Sequence, residues 1–111
     1  MTHVELGALG EALAVQYLKK NDIEIIEQNY RFKKGEIDIV GKKNDLIVIY
    51  EVKTRETAEI GEPYKAVTRR KQKQIITVAN QYIQSKNIDL EVQFDIISIV
   101  HNSYRTKIEH I

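Results

Sequence analysis

Apolar residues recur in two segments of the chain at the spacing of a helix with one buried face. In residues 2–20, where Thr2 and Glu5 fit a capping box, the stripe consists of Leu6, Leu9, Leu13 and Tyr17. In residues 68–86, where Thr68 is the predicted N-cap, it consists of Ile75, Ile76, Val78, Ala79, Tyr82 and Ile83. Asn87 suits the left-handed conformation that ends a helix.

Five further segments, rich in Ile, Val and aromatic residues, predict strands at 23–32, 36–41, 46–53, 90–100 and 104–110. The second and third form a hairpin around residues 42–45, and a loop containing Gly61 and Pro63 precedes the second helix. The order is α-β-β-β-α-β-β. It predicts a three-layer α/β sandwich in which helices flank a mixed sheet of four to five strands.

Composition supports a single folded domain spanning 1–111, because 42% of the residues are hydrophobic and 30% are charged. The absence of cysteine excludes disulfides and thiolate metal sites, so any metal must bind oxygen or imidazole ligands. No apolar run approaches the roughly 20 residues of a membrane span. The N-terminal residues lack the pattern of a secretory signal. We therefore expect a cytoplasmic protein without a membrane partner.

The predicted hairpin brings acidic residues together. Side chains alternate faces along a strand, so Glu36 shares a face with Asp38, and Glu51 shares one with Lys53. A loop with an even residue count puts both pairs on one side, with Asp38 opposite Glu51 or Ile49, whereas an odd loop or a bulge would separate them. Because residues 46–50 are all apolar, the third strand is predicted to be interior, and it carries its charges to the rim of a core.

This arrangement predicts a divalent-metal site. Asp38 and Glu51 would hold Mg²⁺ or Mn²⁺ beside a phosphate, and the metal would lower the pKa of a water. Lys53 would orient that water, help deprotonate it, or neutralise charge on the phosphate. The alternative is an ordinary cross-strand ion pair between Lys53 and Glu51 or Glu36, worth under about 1 kcal/mol.

Glu11 is a third candidate acid, because its neighbours at three- and four-residue spacing on the helix are all Gly, Ala or Val. Gly7 and Gly10 each lower helix stability by roughly 1 kcal/mol relative to Ala, and a close approach of the helix to the sheet would explain both. The alternative is that Glu11 lies at the edge of the buried stripe and reaches water.

Basic residues crowd the start of the second helix: Arg69, Arg70, Lys71 and Lys73. Residues 1–62 carry nine Lys and Arg against twelve Asp and Glu, whereas residues 63–111 carry eight against four. Cations at a helix N-terminus are unfavourable unless an anion binds there, so we assign this segment to nucleic-acid backbone contact. A solvated basic face is the alternative. Gln72, in the same segment, is included among the predicted nucleic-acid contacts, and it is expected to face inward, bonded to the site or serving as a capping or core contact.

These residues together resemble the PD-(D/E)xK nuclease superfamily, which has the fold of restriction endonucleases and archaeal Holliday junction resolvases, and most closely its YraN-like endonuclease family. The similarity covers nearly the whole chain, although Ile37 replaces the proline of the superfamily pattern. The motifs are Gly10-Glu11-x-x-Ala14-x-x-Tyr17-Leu18, Asn29-Tyr30-Arg31, Gly35-Glu36-Ile37-Asp38-Ile39, Glu51-Val52-Lys53-Thr54-Arg55, Ala66-Val67-Thr68, Arg70-Lys71-Gln72 and Phe94-Asp95-Ile96-Ile97.

The resemblance implies a restriction-endonuclease-like fold with Asp38, Glu51 and Lys53 as catalytic core and Glu11 as a helix-borne acid and metal ligand. It implies an endonuclease that uses Mg²⁺ or Mn²⁺ and acts on DNA, with branched or otherwise structured DNA as candidate substrates. Arg31 and Arg55 lie in its motifs and join the predicted nucleic-acid contacts. Relatives of the resolvase type suggest a homodimer. The alternatives are a nucleic-acid-binding module that does not cut, and an interaction domain whose charges form structural pairs.

Overall fold

The computed structural model describes residues 1–57 and 67–111. It contains seven elements in the predicted order. These are α1 (His3–Lys20), β1 (Glu24–Phe32), β2 (Gly35–Lys43), β3 (Leu46–Arg55), α2 (Arg69–Ser85), β4 (Glu91–His101) and β5 (Thr106–His110). The predicted loop with Gly61 and Pro63, and Ala66 of the resemblance motifs, lie outside the described residues.

The five strands form one sheet in the order β1-β2-β3-β4-β5. Neighbouring strands are antiparallel except β3 and β4, which pair in parallel, so α2 is the crossover between them. The sheet is therefore mixed and five-stranded, as predicted. Its two faces carry separate cores, with α1 packed on one and α2 on the other. This confirms the three-layer α/β sandwich.

Both helices begin at the predicted caps. The Thr2 side chain accepts a hydrogen bond from the Glu5 amide, and the Glu5 carboxylate accepts one from the Thr2 amide, which completes the capping box. The Thr68 hydroxyl accepts from the Lys71 amide at the start of α2. Asn87 has a φ of 53°, the left-handed conformation expected after this helix.

The buried stripe of α1 shares only Leu6 with the predicted stripe, and its other three positions are shifted by one residue along the helix. Its buried positions are Leu6, Gly10, Ala14 and Leu18, whereas Leu9, Leu13 and Tyr17 are half-buried at its edge. Small residues occupy the middle of the contact, because α1 lies so close to the sheet that larger side chains fit only beside it. In α2 the prediction that Ile76 is buried is wrong, since 47% of its surface is exposed.

The hairpin of β2 and β3 has a tighter turn than predicted. Only Asn44 and Asp45 connect the strands, and Asn44 adopts a φ of 54°, as two-residue hairpin turns require. The register pairs Lys43 with Leu46 and runs to Ile39 and Tyr50. The connection therefore has the even residue count on which convergence of the acidic residues depends.

In the described part of the chain, neither helix has the length and apolar character needed to cross a lipid bilayer.

Candidate active site

The candidate site lies where β2 and β3 stop pairing. The last paired residues are Ile39 and Tyr50, and one step further the same register would place Asp38 opposite Glu51. There the Val52 amide of β3 donates to Asp38 Oδ2 at 2.8 Å. The Asp38 carboxylate thus bridges the two strands at the point where they separate, next to Glu51.

The alternation of faces along β2 is interrupted at the same level. Ile37 and Val40 both pack in the core under α2, whereas Ile39 packs in the core under α1. Strict alternation would put positions 37 and 40 on opposite faces. In the adjacent strand Asn29 has a φ of 52°, a left-handed conformation that is rare within strands but that asparagine tolerates. This irregularity places Asp38 beside acidic residues from both sides of the sheet.

Three carboxylates converge on the side of α1. One oxygen each from Glu11, Glu36 and Asp38 lie within 4.8 Å of one another. Asn29 Nδ2 holds two of these groups in place, because it donates to Glu11 Oε1 and Oε2 at 3.1 and 3.0 Å and to Glu36 Oε1 at 3.1 Å. Arg31 Nε lies 3.4 Å from the other Glu36 oxygen. The three carboxylates supply a compact set of the hard oxygen ligands that Mg²⁺ and Mn²⁺ prefer.

Gly10 explains how Glu11 reaches this position. A Cβ on Gly10 would overlap the Thr54 side chain of β3, so the contact between α1 and the sheet requires glycine. This confirms the expected close approach for Gly10. The same expectation is wrong for Gly7, because no atom among the described residues would lie within 4 Å of its Cβ.

Glu51 points toward α2 and pairs with Lys71. Lys71 Nζ lies 2.5 Å from Glu51 Oε1, and 11% of the Glu51 side chain is exposed against 48% of Lys71. Both residues line a cavity of about 190 Å³ together with Lys34, Gly35, Glu36, Asp38, Gln74 and Ile75. Asp38 therefore lies between the carboxylate cluster on one side and this ion pair on the other.

Burial and crowded charge perturb the ionisation of the site. Burial, followed by the charges of Glu51 and Glu11, raises the pKa of Asp38 to about 8, although the Val52 amide and the Lys71 charge oppose the shift. Burial lowers the pKa of Lys71, but its hydrogen bond to Glu51 and the charges of Glu51, Asp38 and Glu36 more than offset this, so the net shift is upward. Lys71 therefore stays a cation, and the raised pKa of Asp38 favours its protonated form near neutral pH in the absence of a metal.

Lys53 is not among the described residues that line the acidic cavity. It is exposed and lines a depression with residues at the start of α1, namely Met1, Thr2, His3 and Leu6, and with Thr54, Arg55 and Glu56 of its own strand. In the described structure the cation that contacts Glu51 is Lys71. The catalytic roles predicted for Lys53, Asp38, Glu51 and Glu11 stay predictions, as does the predicted nucleic-acid contact of Arg55.

A basic groove opens beside the acidic cavity. It has a volume of about 620 Å³ and is lined by Phe32, Lys33, Lys34, Gly35, Arg70, Lys73, Gln74, Thr77 and Val78. Lys34, Gly35 and Gln74 line both depressions. Two cations from the β1–β2 turn and two from α2 thus line one groove that adjoins the acidic cavity.

The remaining predicted contacts are dispersed. Arg69 is exposed at the start of α2, and Arg31 is engaged with Glu36. The inward orientation predicted for Gln72 is wrong, because the residue is exposed and its Nε2 donates to the Val67 carbonyl at 2.9 Å. This bond matches the capping alternative, since it secures the chain just before the helix.

Sequence reasoning missed the part that three residues play in the site. Asn29 was assigned no role, Glu36 was considered only as an alternative ion-pair partner of Lys53, and Lys71 was assigned to nucleic-acid backbone contact and not to a pair with Glu51. The signal for Asn29 was an asparagine in the middle of a strand, which indicates an irregular backbone. The signal for Glu36 was its position two residues before Asp38 on the same strand.

The fold and the site define a small α/β domain that carries an oxygen-rich acidic cavity beside a basic groove. A sequence model of the family described as "Uncharacterised protein family UPF0102" matches residues 10–99. The chain is 46% identical over 109 residues to a UPF0102 protein of Christiangramia forsetii, which covers 98% of this chain and 92% of that protein.

Two further UPF0102 proteins are similar over nearly their whole length. The protein of Flavobacterium psychrophilum is 41% identical over 108 residues, with 97% of this chain and 91% of that protein covered. The protein of Alkaliphilus oremlandii is 43% identical over 110 residues, with 96% and 94% covered. The chain belongs to the UPF0102 family. The nuclease activity that the YraN-like resemblance implies stays a prediction.

Proposed function

We propose that this protein is a metal-dependent endonuclease that hydrolyses phosphodiester bonds in DNA. The observation that carries the proposal is the convergence of Glu11, Glu36 and Asp38 within 4.8 Å of one another at the end of a basic groove. Carboxylates that adjoin a cationic groove weaken the binding of a nucleic acid there unless a cation lies between them. A divalent ion at this point would lie between the carboxylates and the phosphate and would offset the negative charge of both.

The residues fit a divalent ion of the Mg²⁺ or Mn²⁺ class. Every donor is a carboxylate oxygen, and the pKa of Asp38 is raised first by burial and then by the charges of Glu51 and Glu11, so a bound cation would offset the cost of ionising this carboxyl group. Glu11, Glu36 and Asp38 would hold the ion, and Glu51 lies next to Asp38 as a further ligand. Such an ion supplies polarisation of the phosphate and acidification of a water.

The side chains of the protein divide the remaining tasks. Lys71 stays protonated, so it neutralises negative charge that develops on the phosphate and does not act as a base. Asn29 orients Glu11 and Glu36 through its amide. Lys33, Lys34, Arg70 and Lys73 bind the phosphate backbone along the groove, so affinity should depend on salt and little on sequence. Lys53 retains the catalytic role that the resemblance implies, and the variants below test it against Lys71.

The test is a cleavage assay with Mg²⁺ or Mn²⁺ on duplex, single-stranded, flap and four-way-junction DNA. Asp38→Asn should lower the rate by roughly 100-fold or more, because it removes a ligand charge. Lys53→Ala and Lys71→Ala are compared with Lys86→Ala, which removes a cation from the far end of α2. Cleavage that persists unchanged in Asp38→Asn would arise from a contaminant and would remove support for the proposal.

The second candidate is a nucleic-acid-binding module that retains the fold and does not cut. The Glu51–Lys71 ion pair favours it, because it neutralises the most buried acid of the site without a metal. Titration with Mn²⁺ separates the two candidates. A nuclease should bind the ion through Asp38, whereas a module held by structural pairs should bind DNA without measurable affinity for the ion.

A further inference from the structure

An apolar groove flanks the acidic cavity on the side opposite to the basic groove. Helix α2 makes most of its sheet contacts with β2 and β1, and among the described residues the part of β4 around Phe94 is left partly exposed on the same face. There Phe94 is 49% exposed and Ile76 of α2 is 47% exposed. The groove has a volume of about 290 Å³ and is lined by Ile49, Glu51, Val67, Gln72, Ile75, Ile76, Phe94, Asp95 and Ile96.

The groove is continuous with the candidate site. Glu51 and Ile75 line both the apolar groove and the acidic cavity. The basic groove joins the cavity through Lys34, Gly35 and Gln74. Three depressions therefore follow one another around the first half of α2: a cationic one, the carboxylates and an apolar one with an aromatic ring.

We propose that the apolar groove binds an unpaired nucleobase that stacks on Phe94 while the adjoining phosphate lies at the carboxylates. The proposal rests on the proposed nuclease function and specifies its substrate as nucleic acid with unpaired nucleotides beside the cut. A nucleotide joins a flat base, whose faces stack on aromatic and apolar side chains, to an anionic phosphate, and the two ends of this surface match these two parts. A base within a duplex is stacked and paired, so it does not reach a groove of this kind.

The chemistry of the lining indicates recognition by stacking and not by base identity. Phe94, Ile76, Ile75 and Ile49 offer apolar contact, and an aromatic face stacks on every base. Lys71 lies at the inner end through its bond to Glu51, where the phosphate would enter. The groove should therefore select unpaired over paired nucleotides with little preference among the four bases.

Fluorescence anisotropy in EDTA, where no cutting occurs, tests the subsite on a blunt DNA duplex and on the same duplex with a short unpaired arm. The wild-type protein should bind the armed DNA about tenfold more tightly, the effect of stacking one base. Phe94→Ala should abolish this preference and leave duplex affinity unchanged, whereas Phe94→Tyr should retain it. Tyr104→Ala is the matched control, since Tyr104 is an aromatic residue that is 93% exposed in the connection between β4 and β5.

Three results would overturn the subsite. The first is equal affinity of the wild-type protein for the two DNAs. The second is a preference for the armed DNA that survives in Phe94→Ala. The third is a wild-type dimer in sedimentation that Phe94→Ala dissociates, because it would assign the groove to a second copy of the chain. Cleavage with Mn²⁺ is measured in parallel. Cleavage by a protein that shows no preference for the armed DNA overturns the subsite alone. A preference for the armed DNA without cleavage contradicts only the nuclease function.

Discussion

Lys71 Nζ lies 2.5 Å from Glu51 Oε1, which ties the first turn of α2 to the end of β3. The contact joins two elements that are consecutive in the described structure, and it places a cation in the lining of the acidic cavity. Its partner carboxylate is buried and stands beside Asp38, so the pair influences both the stability and the ionisation of the site.

Lys71→Ala should lower the free energy of unfolding by about 1 kcal/mol in metal-free buffer of low salt, because Glu51 loses its partner. The loss is modest because half of the Lys71 side chain is exposed and solvent screens the pair. Urea denaturation measures it. Lys73→Ala, two residues away in the basic groove, is the control, and an equal loss in both variants would show that the ion pair contributes nothing specific.

The metal-free protein should become less stable as pH rises from about 4 to 8. The folded pKa of Asp38, about 8, lies above its value of 3.8 in an unfolded chain. Between these two pKa values the folded protein binds more protons than the unfolded chain. The stability that Asp38 contributes is therefore complete below pH 3.8 and is lost as the pH rises to about 8. Urea denaturation across this range measures the trend, and Asp38→Asn should flatten it.

The proton on Asp38 should also make metal affinity depend on pH, but the affinity should rise with pH whereas the stability of the metal-free protein falls. A divalent ion must displace the proton, so affinity for Mn²⁺ should increase about tenfold per pH unit up to pH 8, with one proton released. Calorimetry in buffers of different ionisation enthalpy counts the released proton. An affinity that is constant from pH 6 to about 8 would contradict a protonated Asp38 in the metal-free state.

Gly10→Ala should destabilise the protein by roughly 1 to 3 kcal/mol, because the added methyl group collides with Thr54 and forces α1 away from β3. It should also weaken Mn²⁺ binding, since Glu11 moves with the helix. Gly7→Ala is the matched control in the same helix, and it should stabilise the protein by up to about 1 kcal/mol. Thermal unfolding compares them, and equal behaviour of the two variants would contradict the close approach at Gly10.

Replacement of Asn29 separates backbone from side-chain effects. Asn29→Gly keeps a residue that adopts a positive φ easily but removes the amide that orients Glu11 and Glu36. It should weaken Mn²⁺ binding by about 10- to 100-fold, the usual effect of losing an outer partner of metal ligands.

Asn29→Ala should weaken Mn²⁺ binding equally and should destabilise the fold further, because alanine is strained at this φ. Manganese titration followed by electron paramagnetic resonance gives the affinities of both variants, and urea denaturation gives their stabilities. Unchanged affinity in Asn29→Gly would show that the amide does not organise the carboxylates.

Lys33→Ala and Lys34→Ala should each weaken DNA binding and reduce the slope of log affinity against log salt by about 1. Both residues line the basic groove, whereas Lys43, at the other end of β2, does not. Lys43→Ala is therefore the control in a salt titration of metal-free binding. A slope that changes equally in all three variants would place the DNA elsewhere.

The sequence predicted the features that local chemistry determines. The capping box at Thr2 and Glu5 and the left-handed Asn87 each involve residues close in the chain, and their patterns are specific. The even hairpin connection was enough to bring Asp38 to the level of Glu51, whereas the break in alternation at Asp38, which places it between the two sides of the sheet, was not predicted. The order of elements followed from the same periodicities.

The remainder depends on how distant elements meet. The pairing of Lys71 with Glu51 depends on where α2 begins over the sheet, and no pattern within either element gives that position. The exposure of Ile76 has the same origin, because α2 makes most of its sheet contacts with β2 and β1 and leaves the part of β4 around Phe94 partly exposed. The left-handed Asn29 interrupts a strand whose polar and apolar pattern otherwise looks continuous, so alternation alone could not show that its amide bonds both Glu11 and Glu36.

The two-residue connection at Asn44 and Asp45 also limits how this chain can change over evolution. Replacing either residue by another that tolerates the turn leaves the strands aligned. One inserted residue would instead exchange the faces of β3, turning Glu51 toward α1 and Val48 and Tyr50 toward α2. Among related sequences we therefore expect the two residues of this turn to vary while its length stays constant.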